Sequence, residues 1–344
     1  MHRRRFLESA AAGLALAALS PLALASTSRV TRPARLRPGD TVGLVSPAGI
    51  TYSRDDLEVA RATFAALGLE VVFGDHVLAR DGYLAGTDQE RAGDVTAMFA
   101  DTEVDALIAL RGGWGCARIL PHLDYDVIRA NPKVLCGFSD VASLLLGVYA
   151  QTDLATFHGP NGISNFSTFT TEHFRSVVMS ADRAILANPE SSEDALVPRQ
   201  QRTLTIRGGH ARGRLVGGNL TVLSAMAGTP YIPDTAGHVL FVEDVGEAIY
   251  RIDRMLTQLG QAGVLEGVAG FVFGVCRNCT SDSGGIAGFT LEEVVRHHVE
   301  PLGVPAYMGA SIGHTTQKLT VPIGIEAELD ADAGTIRLLE SAVL

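Results

Sequence analysis

Short apolar runs of strand length alternate with helix-length amphipathic segments through the first half of this 344-residue chain, and this alternation limits the fold more than any single motif. Residues 41–46, 70–73, 106–110 and 134–138 are the apolar runs. Residues 55–67, after Ser53 and before Gly68, and residues 88–99 carry helical periodicity. A strand that is apolar on both sides needs cover on both faces, which is the condition of a parallel sheet flanked by its crossover helices. The expected fold class is therefore α/β. Sites in such sheets form at the C-terminal ends of strands. Ser139 lies at one such end, and Arg111-Gly112-Gly113-Trp114-Gly115 lies at another.

The pattern divides the chain into an N-terminal α/β domain at 35–165, a linker region at 166–212 and a second domain at 213–344. Periodicity weakens between Asn165 and Arg212, and residues 188–201, with Pro189, Ser191, Ser192 and Pro198, have linker composition. In the second domain 239–242 and 268–275 read as buried strands. Residues 248–262 read as a helix with Ile252, Met255, Leu256 and Leu259 on its apolar face. Thr290 and Glu293 form a capping box for a helix through Val299, and short strands are expected near Ala306, Leu319 and Ile325.

Residues 1–25 read as a targeting segment. Arg3, Arg4 and Arg5 precede Phe6 and Leu7, an Ala/Leu-rich stretch follows, and Ala23-Leu24-Ala25 offers a small-residue cleavage site. The arrangement resembles a twin-arginine signal, which implies export of a folded protein to the periplasm. The apolar stretch is broken by Ser20-Pro21 and is shorter than the roughly 20 residues a spanning helix needs, so no stable membrane anchor is expected. Removing 1–25 takes away three arginines and one glutamate, so the formal charge of −10 becomes −12. Such an acidic protein is not expected to bind nucleic acid or anionic lipid. Cys116, Cys136, Cys276 and Cys279 are too few for a disulfide scaffold, and one Cys-x-x-Cys pair does not supply four zinc ligands, so no metal is assigned. Cys276 and Cys279 suit either a small disulfide or two packed thiols.

Residues 133–142 carry the strongest chemical signal: an apolar run reaches Gly137 and a helical pattern begins after Ser139. That layout suits a nucleophile elbow, with the serine raised above the sheet and the Asp140 N–H facing a developing oxyanion. It suits an ordinary helix N-cap as well. A serine nucleophile needs a base and an acceptor that orients the base. Among ten histidines, His158, at the end of a strand-like run, and His314, in a Gly-rich loop between apolar runs, are the candidates, and spacing alone does not separate them. Glu243 and Asp244 follow the apolar run 239–242, where a carboxylate can accept from an imidazole or simply favour the N-terminus of the next helix.

Several motifs in one order resemble the LD-carboxypeptidase family of serine peptidases. They are Gly39-Asp40-Thr41-Val42-Gly43-Leu44-Val45-Ser46-Pro47-Ala48, Arg111-Gly112-Gly113-Trp114-Gly115, Gly137-Phe138-Ser139-Asp140, Gly217-Gly218-Asn219, Val242-Glu243-Asp244, and Gly313-His314 with Pro322-Ile323-Gly324. The resemblance covers nearly all of the chain from Arg35 to Leu338. It implies Ser139 as nucleophile, His314 as base and Glu243 as its orienter, with the N–H groups of Gly113 and Asp140 as oxyanion hole. It implies a flavodoxin-like N-terminal domain and a smaller swivelling β/α C-terminal domain, with the active site between them. The implied reaction releases terminal D-alanine from peptidoglycan tetrapeptides through an acyl-serine intermediate, with a muropeptide substrate, no metal or organic cofactor, and a homodimer. Trp114 stands where the family more often has tyrosine. Two alternatives are a microcin-immunity-like peptidase that cleaves acyl-aminoacyl-adenylates and a periplasmic ligand-binding protein. For the substrate carboxylate Arg111, Arg251 and Arg254 are conceivable partners.

Overall fold

The structure, a computed structural model, describes residues 29–191, 193–194, 196–197, 201–280 and 288–344. The targeting segment expected at 1–25 lies outside these residues. The first half follows the expected alternation: β1 (Thr41–Val45), α1 (Arg54–Ala66), β2 (Glu70–Phe73), α2 (Asp88–Ala100), β3 (Ala106–Ala109), α3 (Cys116–Ile119), α4 (Tyr125–Ala130), β4 (Val134–Gly137), α5 (Ala142–Thr152) and β5 (Thr156–His158). Ser53 and Thr87 start α1 and α2 with reciprocal capping boxes to Asp56 and Glu90. Strands β1, β3 and β4 are buried along nearly their whole length, and all pairings among β1 to β5 are parallel. The N-terminal region is thus a covered parallel sheet.

The expected linker region contains α6 (Thr168–Val178), β6 (Ile185–Leu186), β7 (Leu204–Arg207) and the start of β8 (His210–Asn219). Beyond it come α7 (Leu220–Met226), β9 (Val239–Val245), α8 (Ile249–Gln261), β10 (Gly270–Arg277), α9 (Leu291–Val299), β11 (Ala306–Ala310), β12 (Val321–Ile323), β13 (Glu326–Asp330) and β14 (Thr335–Leu338). The second region, expected to be the smaller, carries an eight-stranded sheet, β6-β14-β13-β8-β9-β10-β11-β7, against six strands in the first, β12-β5-β4-β3-β1-β2. It is larger because β6 and β7, from the segment read as linker, add a strand at each edge.

A second correction concerns β12. The strand expected near Leu319 belongs to the first sheet: Val321, Pro322 and Ile323 pair antiparallel with His158, Phe157 and Thr156 of β5. The chain leaving β11 therefore crosses from one sheet to the other, and His314 lies on that crossing. Helix α5, buried at Ala142 to Tyr149, packs on α7 and β8 of the second region as well as on β4, β5 and β12 of its own sheet. The two sheets thus share one apolar core. Among the described residues no helix is long and apolar enough to cross a membrane.

Candidate active site

Ser139 lies two residues past the end of β4 and has φ of 66°. A non-glycine residue in this left-handed region costs about 1–2 kcal/mol, and the surroundings must hold it there. Asn161, buried, does part of this: its Oδ1 accepts the Phe138 N–H at 3.0 Å. Gly112 does another part by being small, since a Cβ on it would lie 2.8 Å from Ser139 Cβ. The elbow reading of Ser139 is therefore matched by its backbone, whereas an N-cap has extended backbone.

The crossing between β11 and β12 brings His314 to this serine. His314 Nε2 lies 3.1 Å from Ser139 Oγ, and Nδ1 lies 2.7 Å from Glu243 Oε2. The same carboxylate oxygen accepts the His314 backbone N–H at 3.2 Å, so both the ring and its backbone are fixed by one group. Glu243, at the end of β9, is fully buried, and its other oxygen accepts from Asn219 Nδ2 at 3.3 Å. Gly313 has φ of 75°, and a Cβ there would sit 2.1 Å from the Glu243 carboxyl carbon. Phe138 stands edge-on to the His314 ring, with centroids 4.9 Å apart.

The two choices that spacing left open are separated by geometry. His158 makes no hydrogen bond from either ring nitrogen, and its Nε2 is 3.9 Å from Glu243 Oε1. Burial pushes its pKa down to about 4, which leaves it neutral behind the carboxylate. Asp244 is occupied elsewhere: its Oδ2 accepts from the Thr221 N–H at 2.9 Å and the Thr221 hydroxyl at 2.8 Å. Asp244 thus anchors the start of α7, and burial raises its pKa.

Neither the Gly113 N–H nor the Asp140 N–H, which follows Ser139 in the chain, donates to a protein acceptor among the described residues. The Asp140 carboxylate, buried and raised in pKa by that burial, accepts the Cys116 N–H at 2.8 Å. This bond ties the elbow to the 111–115 loop. Arg91 ties the same loop from behind: its buried guanidinium donates to the carbonyls of Pro47, Gly115 and Gly86 and pairs with Asp88. Sequence reasoning passed over Arg91. Its signal was position, because Arg91, Val95 and Phe99 share the buried stripe of α2. Lys318 was also passed over. It is buried with its ammonium 5.1 Å from the Phe138 ring centroid, and burial lowers its pKa against the opposing pull of Glu243.

Cys276, near the end of β10, and Cys279, just beyond it, form a disulfide, and Cys116 and Cys136 are buried thiols whose pKa values burial pushes up. Among the described residues no group of three or more histidines, cysteines or acids is placed to hold a metal ion. A cavity of about 560 Å³ opens beside His314, within the size of small-ligand sites. Of the arginines considered for the substrate carboxylate, Arg111 donates to the Ile50 carbonyl at 3.0 Å and lies over Tyr52, while Arg251 and Arg254 gather around Tyr250. None of the three lines this cavity; Arg202 and Arg277 do. The arrangement can withdraw a proton from a serine hydroxyl and hold the resulting imidazolium against a buried carboxylate.

Comparison with known proteins accounts for both regions. Residues 42–159 match the LD-carboxypeptidase N-terminal domain and residues 212–329 match the LD-carboxypeptidase C-terminal domain. The chain is 36% identical over 304 residues to a probable murein peptide carboxypeptidase of Bacillus subtilis, covering 87% of this chain and 91% of the relative. The crystal structure of muramoyltetrapeptide carboxypeptidase from Oxalobacter formigenes superposes with a TM-score of 0.75 at 30% identity, over 87% of this chain and 97% of that one. The apo microcin C7 self-immunity protein superposes with a TM-score of 0.81 at 27% identity, over 91% and 100% of the two chains. With both family domains matched in order across most of its length, the chain belongs to the LD-carboxypeptidase family.

Proposed function

We propose that this protein is a serine carboxypeptidase that releases the terminal D-alanine of peptidoglycan tetrapeptides through an acyl-serine intermediate. The observation that carries the reading is the continuous chain from Ser139 Oγ to His314 Nε2 at 3.1 Å and from His314 Nδ1 to Glu243 at 2.7 Å. The names of the relatives from Bacillus subtilis and Oxalobacter formigenes support the substrate class.

In this mechanism His314 Nε2 takes the hydroxyl proton as Ser139 Oγ attacks the scissile carbonyl, and Glu243 holds the imidazolium by its Nδ1–H. The oxyanion moves between the N–H groups of Gly113 and Asp140, where each donor contributes roughly 3 kcal/mol. His314 then returns the proton to the leaving amine, and water releases the acyl group by the same steps in reverse order. Because the oxyanion must reach both donors, the configuration next to the acyl carbon decides which bond is cut.

Mass spectrometry of two digests tests the reading. A tetrapeptide ending in meso-diaminopimelate-D-alanine is expected to lose D-alanine, and a pentapeptide ending in D-alanyl-D-alanine is expected to stay intact. Ser139→Ala and His314→Ala should each lower kcat by roughly 10⁴-fold or more while preserving the fold. Cleavage of an acyl-aminoacyl-adenylate with no cleavage of the tetrapeptide would move the chain to the microcin-immunity reading, which the superposition on that protein keeps in play. Periplasmic location and a homodimer complete the proposal. The Arg3-Arg4 signal and the Cys276–Cys279 disulfide, a bond that persists in oxidising compartments, support export. Changing Arg3 and Arg4 to lysine should retain the precursor in the cytoplasm.

A further inference from the structure

The cavity beside His314 holds two arginines that neither the fold nor the catalytic steps account for. Arg277 ends β10, and Arg202 precedes β7. Five other arginines of this acidic chain, Arg91, Arg118, Arg129, Arg212 and Arg296, each meet a carboxylate within 3.0 Å. Arg202 and Arg277 meet none, and neither side chain makes a hydrogen bond among the described residues. Two unpaired cations lining one cavity with a catalytic imidazole are the complement of an anion.

Both arginines stand on fixed backbone. The Cys276–Cys279 disulfide closes the turn that contains Arg277, so its anchor point is ordered before anything binds. Next to Arg202, the Gln201 carbonyl accepts from Asn188 Nδ2 at 2.8 Å. Asn188 also bonds the Gly309 carbonyl and the Ser311 N–H, which belong to the segment leading into His314. One partly buried amide network therefore holds Arg202 in register with the catalytic histidine.

Proton transfer decides which part of a substrate meets these cations. His314 Nε2 protonates the leaving amine, so the leaving residue lies on the His314 side of Ser139. When a single amino acid leaves, its carboxylate is one carbon away from that amine. We propose that Arg202 and Arg277 form the subsite for the free α-carboxylate of the leaving residue and thereby make the enzyme an exopeptidase; the inference rests on the serine-carboxypeptidase reading above. A guanidinium matches a carboxylate in a planar, two-point geometry, and a chain that continued past this residue would offer a neutral amide instead.

The test compares a tetrapeptide ending in free D-alanine with the same peptide ending in D-alaninamide. Wild-type protein is expected to favour the acid by roughly 100-fold in kcat/KM, the scale of one or two hydrogen bonds to a charged group. In Arg202→Met/Arg277→Met that preference should fall to about fivefold or less, through loss on the acid alone, with amide turnover kept within about threefold. Labelling of Ser139 by a fluorophosphonate, which carries no carboxylate, should keep its wild-type rate in the double variant and so report an intact catalytic centre. A preference that survives the double substitution, or an equal loss on acid and amide, overturns the subsite. Binding of the two peptides to Ser139→Ala protein, measured by calorimetry with and without the arginines, asks the same question without turnover. If wild-type protein releases no D-alanine while acid-over-amide binding still depends on Arg202 and Arg277, the hydrolytic reading fails and the subsite stands. Equal binding of acid and amide removes the subsite whatever the turnover.

Discussion

Replacing Glu243 with glutamine separates orientation of His314 from support of the fold. The carboxylate has two jobs with opposite hydrogen-bond demands on a neutral amide. Its Oε2 accepts twice from His314, at 2.7 Å from Nδ1 and 3.2 Å from the backbone N–H, and its Oε1 accepts from Asn219 Nδ2 at 3.3 Å. In Glu243→Gln the amide oxygen serves only one side. If it faces His314, the amide NH₂ confronts the Asn219 NH₂; if it faces Asn219, the NH₂ confronts the two His314 donors. Either arrangement trades a charge-assisted bond of about 1.5–3 kcal/mol for one donor-to-donor contact worth about 1–3 kcal/mol. A loss of about 3–6 kcal/mol in transition-state stabilisation corresponds to roughly 10²- to 10⁴-fold in kcat. The fold should change by less than about 2 kcal/mol, because a neutral amide is easier to bury than a carboxylate and offsets the lost bonds. Release of D-alanine from the tetrapeptide measures the first quantity and urea unfolding the second. A folded Glu243→Gln protein with turnover within tenfold of wild type would refute the orienting role.

Three further outcomes follow from the packing around this centre. Gly313→Ala needs a Cβ in a left-handed conformation and within 2.1 Å of the Glu243 carboxyl carbon, so it should destabilise by at least about 3 kcal/mol in urea melts and lower turnover by more than roughly 100-fold. Arg91→Met removes a buried cation that ties three loop carbonyls and Asp88, and should cost about 3–5 kcal/mol of stability together with at least roughly tenfold in kcat as the 111–115 loop loosens. His158 takes up a proton at about pH 4 when folded and at its ordinary 6.5 when unfolded, so the unfolded state binds more protons between those values and stability is lost on acidification through that window. His158→Gln should therefore reduce the fall in unfolding free energy between pH 7.5 and pH 5 by about 2 kcal/mol; an unchanged slope removes His158 from the acid response.

The legible parts of the chain are those where local pattern and final environment agree. Strands β1, β3 and β4 are apolar on both faces because both faces are covered, and the capping boxes at Ser53, Thr87 and Thr290 act within four residues. The elbow at Ser139 was visible as a strand run meeting a helix pattern. Strands β6 and β7 escaped notice because they are two and four residues long and form only by pairing at the sheet edges, and β14, four residues long, is held between β6 and β13. Asn161 and Arg91 escaped as site supports because their partners lie 23 or more residues away for Asn161, and at Pro47 and Gly115 for Arg91.

By itself the sequence determined the α/β class, the parallel first sheet and the placing of Ser139 at a strand end, since each depends on neighbouring side chains and backbone. Its ordered motifs also pointed to the family, and through the family to His314 and Glu243. Only the tertiary structure decided between His158 and His314 on physical grounds. The segment from β11 to β12 leaves one sheet to add an antiparallel strand to the other, and that crossing sets His314 between Ser139 and Glu243. It equally decided that Arg202 and Arg277, 75 residues apart, share one cavity with the histidine. Contacts of this kind are fixed by which strands pair and which faces bury, and no spacing along the chain records them.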